Sequence, residues 1–172
     1  ELDIGGSRLA ISQTTDYPNK GRIEVSLDPQ KPASFKLHLR IPTWAGEQFV
    51  PGKLYRYLNP SSETWKLSVN GESVSSKTEL GFATIDREWK KGDKVLLELP
   101  MPLRLNRCDE RVEENHHRLA FTRGPFVLCA EAIDNDGATQ RFYLDPKPTI
   151  DKASLSKVSL PAGSFLKATT QS

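Results

Sequence analysis

Cysteine is scarce in this chain: Cys108 and Cys129 are the two among 172 residues. One pair cannot build the disulfide framework of a small secreted fold, and its spacing fits no metal-binding motif. Long apolar runs are missing as well, and none approaches the roughly 18 residues of a membrane-spanning helix. Nor is there an excess of one charge, since 24 Lys and Arg face 22 Asp and Glu. A nucleic-acid footprint would gather basic residues on one face, so neither nucleic acid nor a membrane is expected as a partner. The opening Glu1-Leu2-Asp3-Ile4-Gly5-Gly6 has no Met and no basic start, so no signal peptide is read there and a cut from a longer polypeptide is expected. Enough apolar residues remain, 37% of the chain, to bury a core at this length and to exclude a disordered tail.

Helical periodicity is missing too. The best stretch for a helix, Asp109 to His117, carries a single apolar residue, Val112. Alternation with a period of two takes its place. Ile23, Val25 and Leu27 share one face of Arg22–Leu27, and Phe35, Leu37, Leu39 and Ile41 do the same in Phe35–Ile41. Such segments read as strands of antiparallel sheets with one buried and one wet face. Further strands are expected at Trp65–Val69, Gly81–Ile85, Val95–Leu99, Leu119–Thr122 and Phe126–Ala130, with weaker ones at Phe142–Leu144 and Val158–Leu160. Asn70-Gly71 supplies a hairpin turn in which both residues accept positive φ; Lys91-Gly92-Asp93 and Arg123-Gly124-Pro125 are further turns. Twelve prolines and eleven glycines punctuate the chain at about strand-length intervals. The pattern predicts an all-β fold, an antiparallel β-sandwich of jelly-roll type with about eight to ten strands. Residues 1–132 are assigned to the sandwich, and 133–172 to a trailing segment that belongs to it or opens a further β domain.

Chemistry-bearing clusters are sparse. The densest carboxylate group, Asp109-Glu110 with Glu113-Glu114, is interleaved with Arg107 and Arg111, as a solvated surface would be, whereas a glycosidase needs two carboxylates facing one sugar. Asp86 and Glu88 read as surface ion pairs. His116 and His117, if extended, point to opposite faces and cannot share a metal. Cys129 lies in the apolar run Phe126–Ala130 and is expected to be buried, while Cys108, between Arg107 and Asp109, has no base beside it in sequence. No phosphate loop, nucleophile elbow or EF-hand occurs, so no catalytic residue and no metal ligand is assigned.

Aromatic residues are what remains. The segment Pro42–Glu63 is rich in aromatics and proline and lacks clean periodicity; loops of that length are functional or packed on a neighbour. Trp44, Tyr55 and Tyr57 lie within it and are expected to be exposed. Together with Trp89 they are the candidate contacts, either to sugar rings stacked on aromatic faces or to an adjoining domain.

Several segments then carry a resemblance, in this order: Gln13–Pro18, Leu39–Ala45, Val69–Gly71, Gly81–Asp93, Leu99–Arg104 and Arg118–Glu131. Over about residues 7–137 the chain resembles the β-sandwich region of the family 127 glycoside hydrolases, the β-L-arabinofuranosidase group. Pro51–Tyr55 resembles a longer-looped branch of that family. The resemblance implies a parent with an (α/α) barrel, in which a zinc is held by three cysteines and a glutamate and one cysteine is the nucleophile. Neither the Glu-x-Cys nor the Cys-Cys motif of that site occurs here, so no cofactor is assigned to this chain. The resemblance further implies an accessory domain without catalytic residues that packs on and stabilises the absent barrel. The alternative is a carbohydrate-binding module that takes a plant glycan. The family also implies a bacterial protein in a periplasmic or extracellular setting.

Overall fold

The computed structural model describes residues 2–4, 6–59, 61–129 and 133. The weak strand candidates Phe142–Leu144 and Val158–Leu160, and the trailing segment from 134 onward, lie outside the described residues. The fold is all-β and antiparallel. Its strands are β1 (Leu2–Ile4), β2 (Ser7–Thr15), β3 (Arg22–Pro29), β4 (Ala33–Arg40), β5 (Tyr55–Tyr57), β6 (Lys66–Val69) and β7 (Glu72–Ser73). They continue as β8 (Thr78–Glu79), β9 (Phe82–Trp89), β10 (Asp93–Glu98), β11 (Leu103–Cys108), β12 (Leu119–Arg123) and β13 (Phe126–Leu128). Two short 3₁₀ turns, Thr43–Ala45 and Glu113–Asn115, are the helical elements among the described residues.

Six strands form one sheet in the order β1-β2-β3-β10-β6-β7, and three form a second in the order β4-β9-β8. The alternation read from sequence explains why these sheets face each other. Val25 and Leu27 of β3, Leu67 and Val69 of β6, and Val95 and Leu97 of β10 turn inward from the first sheet. Ala83, Ile85 and Trp89 of β9 meet them from the second, with Phe35, Leu37 and Leu39 of β4 packed against the cluster. Each fully buried Leu or Val contributes about 1.5–3 kcal/mol, so this seam holds the sandwich together. Trp89, the last residue of β9, is wholly buried in this seam; its indole N–H donates to the Phe35 carbonyl at 3.0 Å, leaving no side-chain polar atom unmet.

The two ends of the sandwich differ. At one end the connections are tight and polar: Gln30–Pro32, Asn70-Gly71 and Lys90–Gly92. Asn70 and Gly71 both have positive φ, 53° and 87°, as the hairpin requires. At the other end lie the Asp16–Gly21 loop, the Leu80-Gly81 turn and the long segment that leaves β4 at Pro42. A third sheet, β13-β12-β11-β5, lies beyond this loop end, reached from β10 through Leu99–Pro102.

The strand count exceeds the sequence expectation, and two long strands account for the main differences. Most side chains of β2 are exposed on both faces, so little alternation marks it. In β11, Arg104, Leu105 and Asn106 are all buried, so charged and polar residues sit where the alternation rule expects apolar ones.

Candidate functional site

The site is built where the long loop folds back on the third sheet. Pro42 cannot donate a ladder hydrogen bond, and the chain turns at once into the 3₁₀ turn Thr43–Ala45. That turn drives Trp44 and Ala45 into the sandwich core. Tyr17 stacks on Trp44, with ring centroids 6.4 Å apart and planes 15° from parallel. The Thr43 hydroxyl donates to the Phe49 carbonyl at 2.9 Å and closes the loop on itself. The chain then returns as β5, which pairs antiparallel with β11 so that Tyr57 lies opposite Asn106 and Tyr55 opposite Cys108.

Arg104 is the hub of this junction. It is 7% exposed, and no ion pair reaches it among the described residues. Its guanidinium lies 4.4 Å from the centre of the Tyr57 ring and donates to the carbonyls of Asn59 (2.6 Å) and Gly46 (3.2 Å). A buried cation needs such partners, since stripping it of water without them is costly. Asn59 adds two bonds to β11: its amide donates to the Leu103 carbonyl at 2.9 Å and accepts from the Leu105 N–H at 2.7 Å. The Tyr57 hydroxyl donates to the Trp44 carbonyl at 3.3 Å. Burial pushes the Tyr57 phenol above its ordinary pKa, opposed by the Arg104 charge and the Thr122 hydroxyl. Asn106 donates to the Thr122 hydroxyl at 2.8 Å, while its buried Oδ1 has no partner among the described residues. Outside this cluster, Thr43, Glu47, Gln48, Gly52, Lys53, Tyr55 and Arg56 line an open depression of about 580 Å³.

The four aromatics singled out from the sequence do not share one surface. Trp44 was expected to be exposed because it lies in an irregular segment, but it is 9% exposed, since the 3₁₀ turn inserts it into the core. Trp89 is buried at the far end of β9. Tyr55 and Tyr57 are half-buried in β5; Tyr57 faces Arg104, and Tyr55 borders the depression, its hydroxyl accepting from the Asn115 amide at 3.2 Å. Cys129, expected to be buried, is exposed, lying just past β13, which ends at Leu128 on the sheet edge. Cys108 is buried on the inward face of β11, and its thiol donates to the Asn115 carbonyl at 3.0 Å. His116 and His117 do not lie on a strand; they follow the second 3₁₀ turn, and their rings sit 6.2 Å apart.

Asp86 and Glu88 pair with Lys36 and Lys90 at the surface. Asp109 holds Arg111 at 2.6 Å, and that hydrogen bond keeps the carboxyl below its ordinary range. No group of three or more His, Cys, Asp or Glu comes together among the described residues. The zinc implied by the resemblance therefore finds no fitting donor set here, and no chemistry is routed through it. Sequence reasoning missed Arg104, Asn59 and Asn106. The signal for two of them was present: in Leu103–Cys108, alternation puts Arg104, Asn106 and Cys108 on a single face.

Two family models match the chain. One, described as Beta-L-arabinofuranosidase, GH127 middle domain, covers residues 1–101; the other, Glycoside hydrolase family 127 C-terminal domain, covers 103–168. The chain belongs to glycoside hydrolase family 127. It is similar to a non-reducing end beta-L-arabinofuranosidase of Bifidobacterium longum, with 29% identity over 141 residues, 80% of this chain and 19% of that protein. A solved GH127 beta-arabinofuranosidase is 37% identical with a TM-score of 0.72, covering 77% of this chain and 21% of the other. A GH127 beta-L-arabinofuranosidase from Geobacillus stearothermophilus T6 is 32% identical with a TM-score of 0.66, covering 79% and 19%. The chain thus spans about a fifth of the length of these relatives. The two GH127 regions meet at Pro102, and β5 crosses that boundary: it belongs to the first region by sequence and to the sheet of the second by hydrogen bonding.

Proposed function

We propose that this chain is a non-catalytic β region of a longer glycoside hydrolase acting on β-L-arabinofuranosides. Its loop end and third sheet would pack against the catalytic part, an (α/α) barrel, and hold it rigid. The observation that carries this reading is the polarity of the molecule. Among the described residues, Tyr17, Val50, Leu54, Leu58, Leu80, Phe82 and Val127 are large apolar side chains left exposed at or beyond the loop end. The tight polar turns of the opposite end carry none, and Leu2 and Ile11 are the exposed apolar side chains of the first sheet near them. The larger group gathered at the loop end marks an interface, and the relatives are about five times longer than this chain. The family's catalytic chemistry is thereby referred to the part of the polypeptide outside this chain.

The test is a titration of the chain with arabinose oligosaccharides and arabinan, followed by calorimetry and tryptophan fluorescence, alongside an assay on an arabinofuranoside. No turnover and no saturable heat up to millimolar sugar is the expected result. Saturable binding abolished by Tyr55→Ala, at the rim of the depression, would overturn this reading in favour of a carbohydrate-binding module.

A further inference from the structure

The hairpin that joins β8 to β9 has an apolar tip. Leu80 is 92% exposed and sits at φ 50°, followed by Gly81 at φ 80°. A leucine pays conformational energy to occupy the left-handed region, and an exposed leucine gains nothing from burial. The same molecule shows the unstrained solution, since the turn at the opposite end uses Asn70-Gly71 with nearly the same angles, 53° and 87°. The turn geometry therefore does not call for leucine at position 80.

The surroundings of the tip are built. One nitrogen of the Arg40 guanidinium donates to the carbonyls of Leu80 (3.3 Å) and Gly81 (2.9 Å), and the Gly81 carbonyl also accepts from the Ile41 N–H at 2.9 Å. Arg40 lies 5.3 Å from the centre of the Phe82 ring, which His38 meets edge-on at 6.5 Å. A Cβ at Gly81 would fall inside the guanidinium, so that residue is confined to glycine while the clamp is closed. Both carbonyls of the turn are thus already satisfied. A partner that closes over Leu80 and Phe82 therefore has no turn carbonyl left to satisfy, which lowers the cost of a dry contact.

We infer that this tip, with Leu80 in front and Phe82 and Arg40 behind it, is a knob that inserts into an apolar pocket on the catalytic part of the same polypeptide. The inference rests on the docking reading above and names the contact that anchors it. A neighbouring domain, rather than a second copy, is the occupant because the relatives carry about four fifths of their length outside the region matched here.

The experiment uses the full-length polypeptide that contains this chain. Leu80→Cys, Leu54→Cys and Lys91→Cys are labelled in separate proteins with a maleimide and read peptide by peptide, which separates them from native Cys129. Cysteine brings no more strain to the turn than the leucine it replaces, since each carries one unbranched Cβ, and Lys91 lies at the polar end as an exposed reference. Leu80→Cys is expected to label at least tenfold more slowly than Lys91→Cys, at any protein concentration. Labelling of Leu80→Cys at the Lys91→Cys rate while Leu54→Cys stays protected would overturn the knob and leave the docking reading in place. Rapid labelling at both positions would overturn the two together. Protection of Leu80→Cys that disappears on dilution would assign the tip to a second copy and overturn the inference.

Discussion

Arg104 shows how one residue can join two parts of a chain without a counter-ion. Its work is divided between two loop carbonyls and the face of Tyr57, and a lysine could not reproduce that planar fork. Arg104→Met should destabilise the protein by about 1–3 kcal/mol, because the part-buried carbonyls of Asn59 and Gly46 lose their donor and the Tyr57 face its cation; the urea midpoint measures it, and Arg104→Lys should recover only part of the loss. A second polar knot lies at the opposite end, where Asp93 accepts from the Asn70 amide at 2.9 Å and from the Lys90 N–H at 2.8 Å. Burial opposes ionisation of Asp93, but these bonds and the Arg87 and Lys90 charges outweigh it, and the carboxyl sits below its ordinary pKa. A carboxyl depressed in the folded state contributes stability above the unfolded pKa of about 3.9 and loses it as pH falls through the folded value. Thermal midpoints should therefore fall on acidification below about pH 4, and Asp93→Asn should flatten that limb while lowering the midpoint at neutral pH. At this scale Asn70-Gly71 was legible, because its turn chemistry is local. Cys108 and Cys129 were not, because strand ends and sheet edges decide their exposure.

Elements were legible where one face is buried and the other wet. β3, β4, β6, β9 and β10 announce themselves by alternation, and their register then follows. β2 is hidden because both its faces are largely exposed, and β11 because its inward positions hold Arg104 and Asn106. The candidate site was least legible of all, since its hub is a charged residue that pattern reading assigns to solvent. The way the sandwich hands over to the third sheet depends on backbone contact. Gly21 and Leu99 share a hydrogen bond from the Leu99 N–H to the Gly21 carbonyl at 2.8 Å, and a Cβ at Gly21 would run into the Leu99 carbonyl. Gly21→Ala should therefore cost about 2 kcal/mol or more, since backbone rather than a flexible side chain must yield. Calorimetric midpoints check this, and an unchanged midpoint would show that the start of β3 has slack that the packing does not display.

For the whole molecule, the boundary at Pro102 is a seam in sequence but not in structure. Asn59, Gly46 and β5 on one side are bonded to Leu103, Arg104, Leu105 and Asn106 on the other. A chain ended at residue 101 should keep the two-sheet core, whose buried residues all precede that point. It should lose the order of the long loop, and trypsin should cleave after Arg56 at least tenfold faster than in the 172-residue chain. Equal cleavage rates would mean that the loop holds its shape without the third sheet. Among the described residues no helix is long and apolar enough to cross a membrane. The three-residue strand β5 has one more consequence. A sheet that ended at β11 would offer six residues of unpaired backbone, the kind of edge on which another copy can add a strand. With Tyr55–Tyr57 in place the rim shrinks to three residues, so the stretch that ties the two GH127 regions together is also a guard against chains templating on one another.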